Sequence, residues 1–248
     1  MMASVFEKQL KRKDIGFSIM MNGEIVNAIN EVRRNIYGDA PLAFDGAVDE
    51  ECFKQTAIRP VFLLKEVNYT DMRQDWPYTQ WLHSQAYNES DRMYKTWPNV
   101  CLWLETLFDS CVSYTDCLCD GNIDVSRIRK NLAKTAIVNI KKSGGAGGSN
   151  YEEIMTYAKN EVNAALLRKQ IDILEGKLII CGGTFDFAKT VWNVRNDQIM
   201  QLSTGTEYFI CDEKIFLNFV HPMWFIVPRI ILFAYAKEIF SEIKSLIQ

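Results

Sequence analysis

Four short apolar runs punctuate the chain, and each ends on polar residues or glycines. Val61-Phe62-Leu63-Leu64 follows Pro60 and leads into Lys65-Glu66-Val67-Asn68-Tyr69. The run over 135–140 carries Ala136-Ile137-Val138 into Asn139. Leu178-Ile179-Ile180-Cys181 ends in Gly182-Gly183-Thr184, and the run over 215–220 ends in His221-Pro222. Apolar runs of this length, the fourth broken only by Asn218, suit strands buried on both faces. Helical spacing fills most of the intervals. Val100, Leu104, Leu107, Phe108 and Cys111 share a face after Pro98, and Ile154, Ala158, Val162, Ala165 and Leu166 form a stripe after Asn150. A last helix is expected from Pro228. Val5, Leu10, Ile15, Ile19, Ile25 and Ile29 predict helix over residues 1–35, and Gly38 to Asp45 reads as a turn region. Strands alternating with helices predict a three-layer α/β/α fold on a central four-stranded parallel sheet. A single domain over residues 1–248 is expected, with an N-terminal helical extension to about residue 45. Ligands of such sheets collect at the carboxyl ends of the strands, so Glu66, Asn139, Gly182 and His221 should converge on one crevice.

The stretch over 135–150, TAIVNIKKSGGAGGSN, is the most pointed of these strand ends. Asn139 is followed by Lys141, Lys142, Ser143, Gly144 and Gly145, and Ser149-Asn150-Tyr151-Glu152 then reads as a capping box opening a helix. A strand-to-helix turn of this kind turns backbone N–H groups and a positive dipole end toward an anion, a phosphate above all. It holds no Gly-Lys-Ser or Gly-Lys-Thr that would make it a P-loop, and a flexible loop that binds nothing is the competing reading.

Charge sharpens this only locally. The net charge is −3, so any nucleic-acid surface must be a patch. Arg127, Arg129, Lys130, Lys134, Lys141 and Lys142 form one candidate leading into the glycine loop, and Lys8, Lys11, Arg12 and Lys13 form another. Seven cysteines, an odd number, fit a reducing compartment. Cys111, Cys117 and Cys119 lack zinc-site spacing and have no histidine near them, which favours incidental thiols over a metal cluster. The most apolar run, residues 223–236, contains Pro228 and Arg229 and falls short of the ~20 residues of a spanning helix. A soluble, cytoplasmic protein without a signal peptide is expected.

Taken together, KEVNY after the first run, AIVNIKK around the second, LIICGGT at the third and VHP after the fourth resemble the motifs of the uracil-DNA glycosylase superfamily. The likeness is nearest to the iron–sulfur-type uracil glycosylases and spans about residues 60–224. Glu66 matches the glutamate of the first motif, Asn139 and Lys142 the asparagine and lysine of the second, Glu152-Glu153-Ile154 the start of the following helix, and His221-Pro222 the last motif. Two departures stand out. The positions of the family's cluster cysteines hold Ser143 and Tyr157, so no iron–sulfur cluster, metal or other cofactor is expected. Val67 occupies the place of the catalytic aspartate of the most active members.

The resemblance implies a monomeric, metal-independent enzyme acting on DNA, with no membrane partner. A glycosylase must flip a base, read its edge, stack it, and stabilise the departing base anion. Asn139 is then the edge reader, with capping of the turn as its structural alternative. His221 is the donor to the base, and Glu66 the group that positions water, with a lysine salt bridge as its alternative role. Asn68, and behind it Asp71, could position water instead. Tyr69 and Trp97 are the stacking candidates, followed by Trp76 and Trp81. Lys141, Lys142, Ser143, Gly144 and Gly145 would bind DNA phosphates. The polar, aromatic insert over 68–97 reads either as a surface-covering element or as a pocket wall; as a wall it suggests a bulky, hydroxyl-rich pyrimidine of phage DNA as an alternative to uracil, and a place in antiviral defence. The competing class is a non-catalytic nucleic-acid-binding protein on the same fold.

Overall fold

A computed structural model describes residues 23–69, 72–90, 92–145, 148–224 and 226–247. The helical reading over 1–22, the basic cluster of Lys8 to Lys13, and Asp71 lie outside these residues. In chain order the strands are β1 (Gly46–Ala47), β2 (Pro60–Leu64), β3 (Leu118–Cys119), β4 (Asn122–Ile123), β5 (Ala136–Asn139), β6 (Leu178–Gly182), β7 (Met200–Gln201), β8 (Glu207–Cys211) and β9 (Lys214–Phe219). The helices are α1 (Gly23–Val32), α2 (Glu50–Gln55), α3 (Tyr78–Tyr87), α4 (Trp97–Phe108), α5 (Val125–Ile128), α6 (Lys130–Ala133), α7 (Tyr151–Lys159), α8 (Glu161–Leu174), α9 (Phe185–Val191) and α10 (Arg229–Ile247).

The four apolar runs are the centre of the fold. They pair in parallel in the order β5-β2-β6-β9, with Leu63 opposite Val138 on one side and Cys181 on the other, and Gly182 opposite Phe219. The expected four-stranded parallel sheet is enlarged to a seven-stranded mixed one, β1-β5-β2-β6-β9-β8-β7. β1 pairs antiparallel with β5, β8 with β9, and β7 with β8. The β8–β9 hairpin turns on Asp212 and Glu213, both at positive φ (49° and 61°). That is a two-residue primed turn built without the Asn-Gly or Asp-Gly pair that usually announces one. β3 and β4 form a separate two-stranded ribbon.

Alternation along the strands fills two cores. Phe62, Leu64, Ile137, Ile180, Leu217 and Phe219 face one way, toward Tyr78, Leu82, Trp97, Trp103 and the α10 residues Phe233 and Phe240. Val61, Leu63, Val138, Ile179, Cys181 and Phe216 face the other, toward Ile29, Ile154, Leu167, Ile171 and Phe187. Helices thus cover both faces, and the sheet's carboxyl ends are left to loops. Among the described residues no helix is long and apolar enough to cross a membrane.

A candidate site at the carboxyl ends of the parallel strands

Pairing of β2 with β5 continues past their ends. Ile140 N donates to Leu64 O at 2.9 Å and Lys141 N to Lys65 O at 2.9 Å. The glycine loop then folds back on the first motif: Gly145 N donates to Val67 O at 3.0 Å, and Asn68 bridges to Gly145. The glycines are needed for this approach. A Cβ on Gly144 would stand 2.1 Å from the Tyr69 carbonyl oxygen, and one on Gly145 would stand 2.1 Å from the Glu66 carboxyl group. Gly145 therefore spends its N–H on Val67, while Ser143 and Gly144 are half-buried. The α7 N-terminus is closed by Asn150, whose side chain accepts from Glu152 N and Glu153 N.

The two lysines are turned inward. Lys141 Nζ lies 2.8 Å from Glu66 Oε2 and 2.6 Å from Glu153 Oε1, and its side chain is 6% exposed. Burial pulls its pKa down, but the two carboxylates more than offset that and hold it above the ordinary lysine value. Lys142 is buried outright; its Nζ donates to Asp45 Oδ1 and Oδ2 (2.8 and 3.0 Å) and to Gln170 Oε1 (2.7 Å). Burial lowers the Lys142 pKa against the opposing charge of Asp45. The sequence pattern put both ammonium groups at a phosphate. As folded, each is consumed by a carboxylate instead.

Asp45 is the hub of this region. Besides Lys142 it accepts from Asn139 N (2.6 Å), Asn139 Nδ2 (3.1 Å) and Gln170 Nε2 (2.9 Å). Asn139 is 1% exposed, and its Oδ1 has no donor among the described residues. Asn139 lies on the same strand face as Ile137, the face of the α3–α4 core.

At the other end of the rim, Gly183 N donates to Phe219 O at 2.8 Å, so the glycine pair packs beside His221-Pro222. Asn99 Nδ2 donates to Pro222 O at 2.6 Å, and Arg229 Nε donates to Asn99 Oδ1 at 3.0 Å, tying this loop to α4 and α10. His221 Nδ1 accepts from Met223 N at 3.1 Å. The neutral ring therefore carries its proton on Nε2. Burial, then the charge of Lys65, lowers the His221 pKa and favours that neutral form. His221 lies two residues past the end of β9, which β2 and β6 separate from β5.

The aromatic insert is one packed cluster of mostly tilted and edge-on rings. Tyr69 lies 5.5 Å from Trp76, Trp76 lies 4.8 Å from Tyr78 and 5.6 Å from Trp81, and Trp97 closes the group at 6.3 Å from Trp81. Tyr69 is 41% exposed, whereas Trp97 is buried and its Nε1 has no acceptor among the described residues. Asn68 is exposed and Val67 is buried. Cys111, Cys117 and Cys119 are free thiols, and no group of potential metal ligands gathers among the described residues.

Two features are not signalled by the sequence pattern. Asp45 sits in the stretch that reads as a turn; the available signal is a lone acid bordered by Leu42, Ala43 and Phe44. The other is an apolar tip beside His221, where Met223, Trp224 and Ile226 are exposed, the last at 77%. No protein-family model, curated protein or solved structure matches the chain.

Proposed function

We propose that the chain is a DNA glycosylase that takes a pyrimidine out of the duplex and hydrolyses its N-glycosidic bond. One observation carries this reading: the polar residues ending four adjacent parallel strands, Asn139, Glu66, Gly182-Gly183 and His221, succeed one another along a single rim. In the reaction the C1′–N bond breaks, its electron pair leaves with the base, a water oxygen bonds to C1′, and the proton that water sheds ends on the departed base. The neutral His221 offers Nε2–H to the oxygen of the base on which negative charge grows. Glu66, held by Lys141, supplies negative charge for the sugar as it turns cationic, and the exposed Asn68 positions water. Asn139 reads the base edge. Tyr69, backed by Trp76, is the stacking face, and Trp97 supports the cluster from within.

Ser143 and Gly144 keep the phosphate role, with Lys141, Lys142 and Gly145 bracing the loop beneath them. Met223, Trp224 and Ile226 suit the apolar wedge that an unstacked duplex needs. The bases in view are uracil and a hypermodified pyrimidine such as glucosylated hydroxymethylcytosine of phage DNA, the latter placing the enzyme in antiviral defence. The test is an abasic-site cleavage assay on duplexes that differ in one modified base. Strand scission after alkali at one such base is the expected result, and scission at none refutes the reading.

A second reading has its own support. Val67 is apolar and buried, and the Glu66 carboxylate is already paired with Lys141. A non-catalytic nucleic-acid-binding protein on this fold would bind the same duplexes and leave every base in place.

A further inference from the structure

We infer that Asn99, oriented by Arg229, is a positioning residue that sets the tautomer and aim of His221 through the peptide between Pro222 and Met223; its consequence for base release rests on the glycosylase reading. Two hydrogen bonds meet on that one peptide. Asn99 Nδ2 donates to Pro222 O at 2.6 Å, and Met223 N donates to His221 Nδ1 at 3.1 Å. A peptide unit is planar, so holding its carbonyl also holds the direction of its N–H. Turning the unit would break both bonds together. Trp224 N donates to His221 O at 2.8 Å and closes the same turn from the other side.

The orientation of Asn99 is itself forced. Pro222 O can only accept, so the amide must turn its NH2 toward it. Arg229 Nε can only donate, and it meets Asn99 Oδ1 at 3.0 Å. Asn99 is buried in the first turn of α4, among Trp97, Pro98, Val100 and Cys101. A polar amide in such surroundings is costly unless both its ends are paired, and here both are spent on holding the His221 loop. The chain of contacts from Arg229 through Asn99 and the 222–223 peptide thus delivers a donor to Nδ1, which leaves the proton of the neutral ring on Nε2. Without that donor the ring can take its other tautomer, in which Nε2 has no proton to offer a base oxygen.

The chain has two histidines, His83 and His221, so ring nitrogen–proton correlation spectra of the full chain read the tautomer directly, with His83→Gln to assign the signals. At neutral pH the parent should show His221 as the single Nε2–H form. Asn99→Asp keeps the size of the side chain and its contact with Arg229 but cannot donate to Pro222 O; its His221 should become a mixture of tautomers. Arg229→Met, a change at an exposed residue, should move the ring part of the way. A parent ring in any other form overturns the inference, and so does a folded Asn99→Asp that keeps the parental tautomer. If Asn99→Asp does not fold, Arg229→Met decides in the same way. Single-turnover base release by Asn99→Asp should fall by about tenfold or more, and adding the change to His221→Ala should cost nothing further, because it acts through that ring. An equal loss with and without the His221 side chain would make Asn99 a structural support only and overturn the inference. Release of no base from any duplex overturns the glycosylase reading, while the spectra still decide the role of Asn99.

Discussion

Asn139 and His221 are the residues on which the proposed reaction depends. Asn139→Ala and His221→Ala should each slow base release by ~10²–10³-fold, the usual cost of removing one well-placed electrostatic group, with circular dichroism unchanged. Excision at the parental rate by both would remove them from the site. His221 also gives stability a pH dependence. An unfolded histidine ionises near ~6.5. In the fold, burial and then Lys65 lower its pKa, so in the window below that value the unfolded chain takes up a proton that the folded chain refuses. The contribution is complete above about pH 6.5 and is lost as pH falls through the window. Thermal melts from pH 7.5 to 5 should show the parent losing more Tm than His221→Gln. Lys142→Met leaves Asp45 buried without its cation and should cost roughly 3–5 kcal/mol in urea unfolding. Asn139 and His221 are legible as site candidates because each closes an apolar run. Asp45 is not, since the hydrogen bond that defines it joins residues 94 positions apart.

Between residue and molecule, β5, the glycine loop and α7 act as one element. Its glycines make room for Glu66, so Gly145→Ala should act like overpacking, at about 1–3 kcal/mol, by driving the Glu66 carboxylate off Lys141. Base release should fall further than the drop in Tm explains; an unchanged rate would show that Glu66 is dispensable. The same packing reverses the expectation for Lys141. Its charge already serves Glu66 and Glu153, so Lys141→Met should leave the slope of log K against log salt for DNA binding unaltered. A slope shallower by about 0.9 would mean that Lys141 neutralises a DNA phosphate after all. The strand ends can be read because β2, β5 and β6 carry continuous apolar runs and β9 carries one broken only at Asn218. β1 and β7 are two residues long and β8 carries the exposed Ile210, so periodicity has little to register. Their pairing is imposed by neighbours already in place.

At the scale of the molecule, the aromatic cluster bears on which base the proposed site would take. Tyr69 and Tyr94 are exposed while Trp81 and Trp97 pack behind them, which gives a broad wall with polar tips. Glucosylated hydroxymethylcytosine should accordingly be released faster than uracil, measured side by side on one duplex. Efficient uracil release with no action on the modified base would restore an ordinary repair enzyme. The layered α/β architecture is legible because nothing but a sheet covered on both faces accommodates four such runs. The sheet's outline carries a further consequence. Its two borders are β1 and β7, of two residues each, and β7 pairs only with Glu207 and Tyr208 of the five-residue β8. β1, with the flanking Val48 N–Thr135 O and Asn139 N–Asp45 hydrogen bonds, covers the edge of β5, whose surrounding sequence TAIVNI is uncharged and rich in β-branched residues. Loosening this border, at Gly46 and Ala47 above all, should bare TAIVNI to cross-β pairing and be felt in solubility before it is felt in base release.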